Sequence, residues 1–350
     1  MENKYYHNIA IRLGLGIFLF FAFVFILNYY KTFYLENTSF EKEKIYLHIP
    51  TVNGLDNLKK QLSPHLIDTI TFFKAAKKKE YLSNIKPGKY EIKKGFSNND
   101  IINTLRSNNI PVKVTFNNIE RIEVLASKIS KIIEADSISL MKSFMNKEFL
   151  VQNSLNKHSV FALFLPNTYE FYWNTNANQF RDKMLKQFKS FWNSSRRSKA
   201  QSYGLNPLEV SVLASIVQRE TPKVDERPTI SGVYYNRLKK KMKLQADPTV
   251  IYTIKQQKGF DTKIRRVLYK DLRIKSPYNT YRNKGLPPGP IYMPDISSIE
   301  SVLNLEDHKF LFFVADVSRP GYHIFANTNA QHNRNKRQYT SWLRKNKINR

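Results

Sequence analysis

The chain has 350 residues, with 57 Lys and Arg against 28 Asp and Glu, a formal net charge of +29, and no cysteine. Disulfides and thiolate metal sites are excluded, and a charge that large calls for an anionic partner (nucleic acid, lipid headgroups or a wall polymer) unless it follows a proteome-wide bias. Hydrophobic residues make up 41%, enough for one large or two to three small domains, and the seven histidines show no metal-ligand spacing, so neither a metal nor another cofactor is expected.

Residues 1–8 form a short tail expected on the cytoplasmic side. Residues 13–27 are an unbroken apolar run, and Tyr5-Tyr6 and Tyr29-Tyr30 bracket it like an aromatic belt. A bilayer core needs about 20 helical residues, so 9–30 is long enough to cross it. A cleaved leader would need small residues just beyond the run, and Asn28-Tyr29-Tyr30-Lys31-Thr32 follow instead, so an uncleaved anchor in membrane lipid is expected. A short tail inside and a large domain outside the plasma membrane is the simplest single-pass topology.

Residues 31–43 look like a polar tether. From 44 to 116 the pattern is strand (45–50), helices (55–62 and 64–76), a turn leading into an alternating strand (86–92), helix (98–105, capped by Asn98 or Asn99) and strand (112–116), a small α/β module. Helix-spaced apolar positions then mark 119–133, 137–145 and 178–192. Between them lies Phe161-Ala162-Leu163-Phe164-Leu165-Pro166-Asn167-Thr168-Tyr169-Glu170-Phe171-Tyr172-Trp173, an aromatic core stretch broken at Pro166-Asn167. Residues 194–199 are basic and polar, a connector by composition.

The segment 206–221 is a helix with its own start and stop signals. Asn206 can cap it, Pro207 suits the first turn, Glu209 stands where a capping-box acid belongs, and Pro222 ends it at Thr221. The apolar stripe Val210, Leu213, Ala214, Ile216, Val217 continues onto Glu220. A carboxyl there meets two effects of one sign, since desolvation and the negative end of the helix dipole both favour its protonated form, as a general acid requires. The helix by itself favours the plainer reading, a partly exposed glutamate in a solvated last turn. A further helix (225–240, with Asp225 as cap), a helix begun near Asp247, a hairpin from 309–316 and 322–327, and a basic helical tail from 331 complete the chain.

The residues Leu213-Ala214-Ser215-Ile216-Val217-Gln218-Arg219-Glu220-Thr221 resemble the catalytic helix of the YceG-like (MltG-type) endolytic murein transglycosylases. Further blocks resemble that family in order: Gly232 to Leu238, Leu244-Gln245-Ala246-Asp247-Pro248-Thr249-Val250, Tyr278-Asn279-Thr280-Tyr281, Gly285-Leu286-Pro287-Pro288-Gly289-Pro290-Ile291, and the hairpin running through Phe313 to Asp316 and His323 to Asn333. Where the family has an acid-glycine pair and an aspartate in the aromatic stretch, this chain has Phe161-Ala162 and Asn167, so no role for those acids carries over. The pattern at 44–116, with Gly88-x-Tyr90-x-Ile92 its best feature, is similar to a LysM module.

The resemblance implies an α+β protein with an N-terminal membrane helix (9–30), a LysM-like module (44–116) and a catalytic domain (117–350, core motifs 206–333). It implies cleavage of the MurNAc–GlcNAc β-1,4 bond of peptidoglycan glycan strands to 1,6-anhydromuramoyl ends, with Glu220 as acid and then base. It further implies substrate contacts from Gln245, Asp247, Thr249, Tyr278, Asn279 and Thr280, and peptidoglycan synthases as candidate partners. Asp247, just before Pro248 at a helix start, also fits a capping role. His323 and His332 are expected as hairpin contacts. No nucleic-acid-binding motif occurs, so nucleic acid is not an expected partner. A catalytically inactive wall-binding scaffold and a basic membrane-tethered polyanion binder are the alternatives.

Overall fold

The computed structural model describes residues 2–346, as fourteen α-helices and three separate two-stranded sheets among those residues, a mixed α+β protein. The chain divides into two compact units, one of Met1–Lys113 with Ile132–Glu134 and Glu170–Asn176, the other of Val114–Lys131, Ala135–Tyr169 and Ala177–Arg350. The short returns at 132–134 and 170–176 mean that no single cut at residue 116 separates them.

The first unit begins with α1 (Glu2–Phe33), which is long and apolar enough over Tyr6–Phe33 to cross a membrane. It continues through β1 (Lys44–Ile49), α2 (Gly54–Leu62), α3 (Thr69–Lys78), β2 (Gly88–Lys93) and α4 (Asn98–Ser107). β1 and β2 pair antiparallel with Leu47 opposite Tyr90, and both inward faces enter a core with Leu58, Leu62, Phe72, Ile101 and Leu105. The helix expected at 64–76 is split, because Asp68 caps a new start by accepting from the amides of Ile70 and Thr71.

Residues 31–43 are not a loose tether. α1 runs on to Phe33, which is buried in the core of this unit. Asn37 is buried too: its amide donates to Asp68 O and Asn98 Oδ1, and its Oδ1 accepts from Asp68 N. The Asn98 side chain is spent on this network, donating to Thr32 O at 2.9 Å, so the cap of α4 is Ser97 in a capping box with Asp100.

After β3 (Pro111–Phe116), the second unit is built from α5 (Ile122–Ile129), α6 (Ser137–Phe144) and α7 (Lys147–Gln152), and the aromatic stretch resolves into a 3₁₀ turn followed by β4 (Asn167–Tyr172), whose last three residues belong to the first unit. Then come α8 (Ala177–Phe191), α9 (Ser194–Ser202), α10 (Pro207–Glu220), α11 (Arg227–Lys239), α12 (Asp247–Lys258), α13 (Ile296–Leu303), the hairpin β5 (Phe312–Ala315) and β6 (His323–Ala326), and α14 (Asn329–Lys345). The basic segment 194–199, expected as a connector, is the start of α9, capped by Asn193. Asp225 does not cap α11. It lies in a 3₁₀ turn before that helix and accepts from the Tyr322 hydroxyl.

α10 is the buried axis of this unit, with every residue from Val210 to Val217 buried. Its Asn206–Glu209 capping box closes in both directions. Small polar residues pin it along its length: Ser215 Oγ accepts from Ile291 N, and Gln218 Oε1 accepts from Asp295 N, whose carboxylate in turn holds buried Arg227. The helix end, and so Glu220, is fixed in place.

Candidate active site

Glu220 is the last residue of α10 and opens into a cavity of about 420 Å³. Around it stand Tyr234 and Arg237 from α11, Gln245 and Asp247 at the start of α12, Tyr281, Phe312 and Phe313 from β5, and Asn329, His332, Asn333 and Lys336 from α14. The Glu220 side chain keeps partial exposure toward the cavity while its carboxyl is enclosed by protein.

Two carboxyl groups share the cavity, and each is held by a phenol. The Tyr234 hydroxyl donates to Glu220 Oε1 at 2.5 Å, and the Tyr281 hydroxyl donates to Asp247 Oδ1 at 2.6 Å. Loss of water around the Glu220 carboxyl pushes its pKa up to about 7, and the nearby Asp247 charge adds to the rise. The bond from Tyr234 and the nearby His323 and Arg237 side chains oppose it. A carboxyl near 7 populates both forms at neutral pH, which suits a group that gives a proton and then takes one back. Burial and the adjacent carboxyl raise the Tyr234 phenol well above its usual value, so it stays a donor.

The loops expected to hold substrate divide into two groups. Gln245 and Asp247 face the cavity with Glu220. Asp247 is the first residue of α12 rather than its cap, which is Ala246 with no side-chain bond, so the capping expectation is replaced by the contact with Tyr281. Gln245 sits in the left-handed region at φ 50°, a strained conformation for a side-chain-bearing residue, held by its amide bonding to Thr280 O.

Thr249, Asn279 and Thr280 do not face the cavity. They are 0%, 0% and 2% exposed, and their polar atoms brace the loops. Thr280 Oγ1 accepts from Ala246 N and lies 2.8 Å from Thr249 Oγ1. Asn279 Nδ2 donates to Leu272 O and Ile274 O, while its Oδ1 accepts from Tyr281 N. Their expected sugar contacts are corrected to a positioning role for Asp247 and Tyr281, because no polar atom is left over for a ligand. Tyr278 lines a different hollow, with Tyr252 and His158, and its hydroxyl is 3.3 Å from His158 Nδ1.

Tyr234, Tyr281, Arg237 and His332 are site residues that sequence reasoning did not single out as such. Tyr234 stood on the apolar stripe of its helix and looked like core; the hydroxyl on a fully buried position was the one available signal. Arg237 donates to Leu311 O and Leu244 O, tying α11 to β5 and to the Gln245 loop. His323 is not a free hairpin residue: its backbone amide and Nδ1 both bond buried Glu226. Burial alone would raise Glu226, yet the bonds from His323 hold its carboxyl below the usual range. A larger hollow of about 520 Å³ lies at the other end of α10, lined by Asn206, Glu209, Tyr235 and Gly285–Pro288, and holds none of the expected site residues. No cluster of three or more metal-ligating side chains occurs among the described residues.

The profile of the YceG-like family matches residues 47–338. The chain belongs to the YceG-like family. It is 38% identical over 192 residues to an endolytic murein transglycosylase of Bacillus subtilis (strain 168), a stretch covering 55% of this chain and 51% of that protein. It is 33% identical over 189 residues to an endolytic murein transglycosylase of Streptococcus pneumoniae serotype 2, covering 53% of this chain and 33% of that protein. The matches thus span about half the length, or less, of these relatives. A crystal structure of a YceG-like protein from Listeria monocytogenes superposes with a TM-score of 0.54 at 26% identity, over 84% of this chain and 99% of that one.

Proposed function

We propose that this YceG-like chain is a membrane-anchored endolytic lytic transglycosylase of peptidoglycan, a lyase that cuts MurNAc–GlcNAc β-1,4 bonds within nascent strands and so ends their elongation. The observation that carries the proposal is the carboxyl of Glu220, raised to about 7 at the rim of a polar cavity and held by Tyr234.

The chemistry follows from one carboxyl. Protonated Glu220 gives its proton to the glycosidic oxygen as the C1–O bond breaks, and the GlcNAc end leaves as an alcohol. Positive charge grows at C1 of the muramoyl residue. The muramoyl 6-hydroxyl attacks that carbon, and the Glu220 carboxylate takes the hydroxyl proton, which closes the 1,6-anhydro ring and returns the enzyme to its starting state. The nucleophile belongs to the substrate, so no second carboxyl has to position water, unlike the two-carboxylate hydrolases. Asp247 acts as a fixed negative charge beside the developing cation and keeps Glu220 protonated before the reaction. Gln245 supplies an amide for sugar hydroxyl or N-acetyl groups.

The segment 9–30 spans the plasma membrane, residues 1–8 face the cytoplasm, and the rest works on the outer, wall-facing side. The module over 44–116 is LysM-like, supported by its strand and helix order and the Gly88-x-Tyr90-x-Ile92 strand. The region 117–350 is catalytic, and peptidoglycan synthases are candidate partners.

The test is mass spectrometry of glycan strands digested by the purified full-length protein. Anhydromuramoyl ends are expected, and Glu220→Gln should lower their release by about 10³-fold or more while leaving a folded, membrane-bound protein. Reducing ends would show a hydrolase, and intact strands a scaffold. Normal release of anhydro ends by Glu220→Gln would remove Glu220 from the mechanism.

A further inference from the structure

α14 contributes Asn329, His332, Asn333 and Lys336 to the Glu220 cavity. Their spacing of three, four and seven residues places them on one face of the helix. Nothing in the proposed chemistry uses this face. Its polar groups are nonetheless arranged for a ligand. The His332 ring lies over Phe312, with centroids 5.2 Å apart and planes 22° from parallel. Its Nδ1 is buried and has no partner among the described residues. Burial, with the charges of Lys336 and Arg237 beside it, holds the imidazole below its usual pKa, so it is a neutral ring offering one donor and one acceptor.

The charges in the cavity are unequally committed. Arg237 donates to backbone carbonyls, and Asp247 is held by Tyr281. Lys336 makes no ion pair with a carboxylate among the described residues. The cavity thus presents one uncommitted ammonium beside two amides and an unpartnered imidazole nitrogen. The complementary ligand is a carbohydrate that carries hydroxyl and acetamido groups and also a carboxylate. A murein strand fits, because its lactyl or peptide substituents carry carboxylates; a neutral amino-sugar polymer does not.

We propose that the inward face of α14 is the substrate-selecting wall of the cavity, with Lys336 pairing with a carboxylate on a muramoyl substituent and Asn333 and His332 taking neighbouring polar groups of the strand. The assignment rests on the glycan-cleaving reading of the same cavity, and it adds what that reading lacks, a group that distinguishes the anionic strand from a neutral one.

Binding tests it without turnover. Full-length Glu220→Gln protein is titrated with uncrosslinked murein strands and with the same strands after their carboxylates are converted to amides. Native strands should bind about two- to fivefold more tightly, the worth of one ion pair at an exposed lysine. Adding Lys336→Met should collapse that difference, and Lys336→Arg should keep it. Lys345→Met, on the opposite side of α14, should also keep it, which separates a specific pair from the diffuse attraction of a basic protein. Equal affinity for the two strands, or a preference that survives Lys336→Met, or one lost equally in Lys345→Met, overturns the proposal. The end-group analysis of wild-type digests is scored separately: absence of anhydro ends would sink the reaction while the binding comparison still decides the wall.

Discussion

Burial is the main reason the Glu220 carboxyl stays protonated, and the Asp247 charge beside it acts in the same direction. The Tyr234 hydroxyl works against it, since a donor at 2.5 Å favours the anion. The balance sets the pH range of the first proton transfer. With the carboxyl near 7, kcat/KM for strand cleavage should fall about tenfold per pH unit on the alkaline side, as Glu220 loses the proton it must give. Tyr234→Phe removes a bond that lowers the Glu220 pKa. Its alkaline limb should therefore move to higher pH, even as the absolute rate falls from poorer stabilisation of the carboxylate in the second step. A pH profile of the two proteins decides this. An unmoved limb, or one displaced to lower pH, would mean that Tyr234 does not set the proton affinity of the acid.

The elements that place this carboxyl rely on close backbone approach. Gly289 lies where a Cβ would stand 2.0 Å from the carbonyl oxygen of His158, and no side chain can move to relieve that contact. Gly289→Ala should destabilise the protein by about 2–3 kcal/mol through overpacking, visible as a lower urea midpoint; an unchanged midpoint would show that the loop is free to shift. The same loop explains what the sequence could and could not disclose. α10 was legible because its information is local: Asn206, Pro207, Glu209 and Pro222 each act within a turn of the helix. The Leu244–Val250 and Tyr278–Tyr281 segments were legible as a matching pair of motifs but not in their roles. Thr249, Thr280 and Asn279 look like sugar ligands in a polar loop, and only their partners reveal them as braces: Thr249 and Thr280 meet across 31 residues, and Asn279 ties its own loop through Leu272, Ile274 and Tyr281. Only the capping expectation for Asp247 fails, since the phenol that engages its carboxylate comes from Tyr281.

At the scale of the whole chain, the link between the apolar helix and the first folded unit governs where the protein can be cut. A polar tether over 31–43 would allow its removal with the span. The packing forbids that. Phe33 is 3% exposed in the core of the first unit, Asn37 satisfies Asp68 and Asn98, and Thr32 O accepts from Asn98. A chain beginning at residue 29 keeps all of these contacts and loses most of the apolar stretch long enough to cross a membrane. A chain beginning at residue 44 empties the Phe33 site and leaves buried Asn98 without two of its partners. Loss of a buried phenylalanine costs about 3–5 kcal/mol, and each orphaned buried amide adds about 1–3 kcal/mol. That is most of the stability of a small unit, about 5–15 kcal/mol. Urea unfolding followed by circular dichroism should show one cooperative transition for the first unit in the chain starting at 29, and a transition shifted to much lower urea, or absent, in the chain starting at 44. Coincident curves would show that residues 31–43 contribute nothing to the fold. The apolar helix is then joined to the first unit without slack, through α1 running on to buried Phe33 rather than through a flexible linker.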